Sequence, residues 1–204
     1  MRECIITSDR ALRSRAGGRS FSLGEHSDVR LACPRTEEMV LGVIDWIDVE
    51  RSPRYAKSGN ATYCNVAAHD VLRELGTYLP RVWWTNPPAV RFDTTPEYGK
   101  NCIEMSANRL VDWMREHGHE FGWRIYGIPP KLRAGDIGVV IGRARKGHGH
   151  VQVLYSRAGE QRAMQAGVEN FSNRPPYSEE FWSGYADAVW AVQRAGALGG
   201  VNVG

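Results

Sequence analysis

Apolar residues recur at helical spacing through the first half of the chain and in short β-like runs through the second. Thr36 followed by Glu37 and Glu38 reads as a helix start, with acids at the positive end of the dipole. Met39, Val40, Val43, Ile44 and Ile47 then supply an apolar stripe that Ser52-Pro53 ends. A second helix is expected from near Thr62 or Tyr63 to Leu75, with Gly76 as its stop. Along it Cys64, Ala67, Ala68, Val71, Leu72 and Leu75 share one face, and Cys64 stands at the N-terminal end of that face. The stretch holding Pro80, Pro87, Pro88 and Pro96 reads as irregular, and a third helix is expected from about Ser106 to His117. Five strands are then predicted: Trp123 to Tyr126, Asp136 to Ile141, His150 to Tyr155, Arg162 to Ala166 and Ala188 to Gln193. Helices first and an antiparallel meander afterwards is an α+β order.

The 204 residues, 42% of them hydrophobic, suit one well-cored domain over 35–204, preceded by a polar, Arg- and Gly-rich segment (1–34) expected to be flexible or loosely attached. The net charge of +3 permits attraction to an anionic polymer such as a cell wall. No basic stripe interleaved with aromatics is present, so a nucleic-acid partner is not expected. No apolar run of about 18 residues exists, which excludes an expected membrane span. The N-terminus also lacks the uninterrupted apolar core of a secretory signal. The expectation is a protein made in the cytoplasm that acts in the periplasm or at a cell wall after lysis or dedicated secretion. Cys4, Cys33, Cys64 and Cys102 match neither a zinc ribbon nor a disulfide framework.

Chemistry concentrates on Cys64. A helix N-terminus favours the thiolate, the nucleophilic form of cysteine, through unpaired N–H groups and the dipole. A base must lie within reach, and a third polar group must orient that base. His150 opens the strand HVQVLY directly after a glycine-rich hairpin loop, on the rim of the predicted sheet. Gln165 ends the next strand and can hydrogen-bond the second ring nitrogen of His150. Asn170 is the competing orienting residue, or a groove contact. Tyr63, Trp83 and Trp84 are candidate walls of a substrate groove, although aromatic pairs in Pro-rich loops also simply pin the loop.

Three blocks in this order carry a resemblance: Thr62-Tyr63-Cys64-Asn65-Val66, Leu132-Arg133-Ala134-Gly135-Asp136-Ile137 and Gly149-His150-Val151-Gln152-Val153. They resemble the nucleophile helix, the G-D-I strand and the G-H-V-x-V histidine strand of CHAP- and NlpC-type cell-wall amidases and endopeptidases. The resemblance covers roughly residues 50 to 170. It implies a papain-like fold, with N-terminal helices packed on a C-terminal antiparallel sheet of about five strands. It further implies a thiol hydrolase that cleaves amide bonds in peptidoglycan, with Cys64 as nucleophile and His150 as base, no cofactor, and an immunity or delivery protein as further partner.

Other readings of the same residues stand beside this one. A cysteine on an apolar helix face is commonly a small core residue, which would make the chain a noncatalytic binding protein. A papain-like site could instead deamidate or transamidate a protein. His148 with His150, and His117 with His119, form H-x-H pairs, but no acid or cysteine sits at a spacing that completes a zinc site, and no metal is assigned. His69 is offset from Cys64 by about 140° around the helix and is expected at the surface. Asp70 is expected to cap the helix, pair with Arg73 or buttress a neighbouring loop.

Overall fold

Thr36 caps the first helix, α1 (Glu37–Ile47), by accepting from the Met39 N–H, in a computed structural model that describes Cys4 and residues 34–57, 59, 62–86 and 94–196. The segment 1–34 thus lies outside the described residues apart from Cys4 and Pro34, and so does Cys33. The second helix, α2, is Cys64–Glu74, and Gly76 follows it at φ +67°. The third, α3, is Ala107–His117, capped by the Ser106 hydroxyl. A fourth, unpredicted turn of helix, α4 (Glu179–Ser183), is capped by Ser178. The Pro-rich stretch read as irregular contains two short antiparallel strands, β1 (Val82–Trp84) and β2 (Cys102–Glu104).

The remaining strands are β3 (Arg124–Tyr126), β4 (Ile137–Arg143), β5 (His150–Arg157), β6 (Glu160–Gln165), β7 (Phe171–Arg174) and β8 (Asp187–Gln193). They form one antiparallel sheet in the order β3-β8-β4-β5-β6-β7, so the architecture is α+β with a sheet of six strands rather than five. The added strand, β7, is polar along Ser172-Asn173-Arg174 and carries little β signal.

Period-2 alternation divides the sheet into two faces. Val139, Ile141, Val151, Val153, Tyr155, Val189 and Ala191 pack with the three long helices in one core. Val140, Leu154, Ala163, Trp190 and Val192 form a second core with Phe171 and Trp182. Trp83 and Trp84 belong to the first core, at 5% and 2% exposure. Trp83 meets Trp113 and Phe121 edge-on, and so the tryptophan pair anchors β1 rather than walling a groove. Asp70 is buried against Arg54 and Tyr55: Arg54 Nε donates to Oδ2 at 2.6 Å, Arg54 Nη2 to Oδ1 at 3.1 Å, and the Tyr55 hydroxyl to Oδ2 at 2.9 Å. It therefore ties α2 to the loop before it, which is the buttressing role, and not a pair with Arg73. His69 is half-buried, not a surface residue, because its Nδ1 donates to the Leu79 carbonyl at 2.6 Å.

Candidate functional site

Cys64 is the first residue of α2, with Tyr63 as the N-cap, and it is buried at 5% exposure. The N–H groups of Val151, Asn65 and Cys64 and the Thr62 hydroxyl all bear on its sulfur and favour the thiolate. Burial outweighs them and pushes the thiol up from its ordinary value. The donors at the helix N-terminus favour the thiolate as expected, but they do not bring the Cys64 pKa below its ordinary value.

His150 begins β5 and lies on the sheet face opposite Val151 and Val153. The Val151 N–H that bears on the Cys64 sulfur belongs to the very next residue, so the start of α2 meets the backbone at the rim where β5 begins. Among the described residues no hydrogen bond joins the Cys64 thiol to the His150 imidazole, whose partner is Gln165. Burial also lowers the His150 pKa below its ordinary range, against the opposing effect of Gln165. Burial thus favours the neutral form of each group, thiol and imidazole.

Gln165 fixes which nitrogen of that imidazole carries the proton. Its Nε2 donates to the Glu169 carbonyl at 3.0 Å and to the Tyr177 hydroxyl at 2.9 Å. A backbone carbonyl only accepts, so the amide is oriented with Oε1 toward His150, whose Nε2 lies 2.6 Å away. His150 Nε2 must then donate, and Nδ1 keeps its lone pair. Gln152, fully buried, donates from Nε2 to the same Oε1 at 2.9 Å, while its own Oε1 accepts from the Tyr177 N–H at 3.2 Å. Two backbone groups, Glu169 C=O and Tyr177 N–H, thus over-determine one tautomer. Trp182, 1% exposed, lies nearly parallel to the His150 ring at 14°, with centroids 6.0 Å apart. A Cβ on Gly142 would stand 2.7 Å from the Tyr185 ring and 2.9 Å from Trp182, so only glycine admits this aromatic cover. Tyr185 is close enough for the Cys64 charge to help raise its pKa, after the larger effect of burial.

A cleft of 550 Å³ opens beside Cys64, and Thr62, Tyr63, Asn65, Tyr98, Glu104, Arg109, His148 and Gly149 are among its lining residues. The groove expected at Cys64 is thus present, with Tyr63 in it, whereas Trp83, Trp84 and Asn170 do not line it. Asn170 accepts from the Gly167 N–H and donates to the carbonyls of Val49 and Tyr55, which makes it a staple between two loops and not the partner of His150. His148 is exposed in the hairpin loop and faces the cleft. Among the described residues no group of three or more His, Cys, Asp or Glu side chains gathers in a way that could hold a metal ion.

Gln152, Tyr177 and Trp182 were missed by sequence reasoning. Gln152 had a signal: a glutamine two residues past His150, on the same strand face, inside an otherwise apolar run. Comparison with protein-family models, with curated proteins and with solved structures returns no match.

Proposed function

We propose that this chain is a cysteine-dependent hydrolase of peptide or amide bonds, built on a papain-like plan. One observation carries the reading: a backbone-anchored glutamine holds His150 as the Nε2–H tautomer, which leaves Nδ1 with its lone pair, while the N–H of the next residue, Val151, bears on the sulfur of a helix-start cysteine that opens on a cleft. Nδ1 takes the Cys64 proton as the sulfur attacks the substrate carbonyl, so charge develops within the cage of N–H donors. The Cys64 N–H is one donor to the oxyanion. The imidazolium, steadied by Gln165, then protonates the leaving amine, and water hydrolyses the thioester with Nδ1 again as base. No cofactor enters this sequence.

The proposed substrate is the peptide or its amide link in bacterial peptidoglycan, an assignment that rests on the resemblance of the three sequence blocks. The proposed setting is a lysin or antibacterial effector that reaches the periplasm or wall by lysis or a dedicated route, with an immunity or delivery protein as partner. Purified sacculi incubated with the protein should release muropeptides, whose masses name the bond, and Cys64→Ala should release none. Equal release by both proteins overturns the nucleophile. No release from sacculi, with mass gains of about one dalton in protein glutamines instead, moves the same site to deamidation. The buried, neutral thiol is what favours a second reading, a core cysteine in a binding protein. Under that reading neither substrate class is turned over.

A further inference from the structure

Cys4 is held in the body of the protein although it precedes the first helix by more than thirty residues. Its N–H donates to the Tyr78 hydroxyl at 2.8 Å, and that hydroxyl donates back to the Cys4 carbonyl at 3.2 Å. Both backbone groups are thus clamped to a tyrosine packed among Trp83, Trp113 and Phe121. The side chain, 2% exposed, is an unoxidised thiol in hydrogen-bond contact with the thiol of Cys102 in β2, itself unoxidised and 0% exposed. Cys102 sits directly behind the cleft: Tyr98, which bridges to it, and Ile103 and Glu104, which follow it, all line the cavity.

We propose that Cys4 and Cys102 form a disulfide that ties the N-terminal end of the described chain to the strand backing the cleft wall. The tyrosine clamp fixes the Cys4 backbone independently of the sulfur contact, which brings two buried thiols together across a separation of 98 residues (102 − 4). The oxidant is a low-molecular-weight disulfide, of which glutathione disulfide is the type. One protein thiolate attacks a sulfur of that disulfide and releases one glutathione thiolate. The second protein thiolate attacks the mixed disulfide and releases the other. Two protein thiols thereby lose two protons and two electrons, and the oxidant takes up both electrons. Both sulfurs are buried, so the exchange occurs as the chain folds. The bond suits a protein that works outside a reducing cytosol. It leaves Cys64 free, and it stands whether or not Cys64 is a nucleophile.

The full chain, refolded with a reduced and oxidised glutathione pair, should be denatured, alkylated and digested without reductant. The peptide bearing Cys4 is expected linked to the peptide bearing Cys102, with Cys64 alkylated. Closing a loop of this length should raise the melting midpoint by about 10 °C over the reduced protein, a gain that Cys102→Ser and Cys4→Ser both lose. The wild-type peptide map decides even where a variant fails to fold. Alkylation of both Cys4 and Cys102, or a link from Cys102 to Cys33 or Cys64, overturns the proposal.

Discussion

His150 depends on groups that never touch the thiol. Gln165 lifts its pKa by accepting from Nε2, while burial holds it below the ordinary 6.5. Activity governed by the neutral imidazole should therefore rise along an acid limb below pH 6.5. It should stay flat through neutrality, because the thiol itself titrates above its ordinary 9.0. A kcat/KM profile that instead follows a preformed ion pair, with a second limb near neutrality, would contradict the resting neutral state. Gln165→Ala removes the bond that raises the pKa, so the acid limb should move to lower pH while the plateau falls about 100-fold. A purely structural role for Gln165 would lower the plateau without moving the limb.

At the scale of elements, two junctions position the pair. The first is the hairpin into β5, where a Cβ on Gly149 would fall 2.3 Å from the Gly142 carbonyl and 2.5 Å from Asn108 Oδ1. Asn108 also clamps this loop by accepting from the Ala144 N–H and donating to the Gly147 carbonyl. Gly149→Ala should therefore open the hairpin and displace His150, cutting kcat while most of the sheet keeps its slow amide exchange. The second junction is the buried Asp70–Arg54–Tyr55 cluster that fixes the loop leading to Cys64. Asp70→Asn removes the carboxylate charge from a buried ion pair and should cost about 3 kcal/mol or more in urea unfolding. A loss below about 1 kcal/mol would mean the pair is solvated in a way its 7% and 2% exposure does not suggest.

In the whole molecule, burial lowers the pKa of both His69 and His150. The unfolded chain binds protons at these sites more readily, so stability present above pH 6.5 should drain away as pH falls toward their folded values. The melting midpoint should be lower at pH 5.5 than at 7.5, a window above the titration of the carboxylates. A midpoint that rises on acidification would contradict the assignment. The three long helices, five of the sheet strands, the helix-start position of Cys64 and the His150–Gln165 contact were legible because each rests on periodicity or on a local stop such as Gly76. The β1–β2 pair was not, since three-residue strands between prolines leave no period to read. The aromatic cover of Tyr177, Trp182 and Tyr185 was equally hidden: it reaches His150 through the fold and not through spacing along the chain. Asn170 was given a site role because its type fits one, whereas two loop carbonyls hold its amide. The central claim, that His150 activates Cys64, can be tested without knowing the substrate by following alkylation with iodoacetamide at pH 7 in the fully reduced protein. Cys64 should react about 10-fold or more faster than the buried Cys102 and lose that advantage in His150→Ala; a Cys64 as inert as Cys102, or one indifferent to His150, would contradict it.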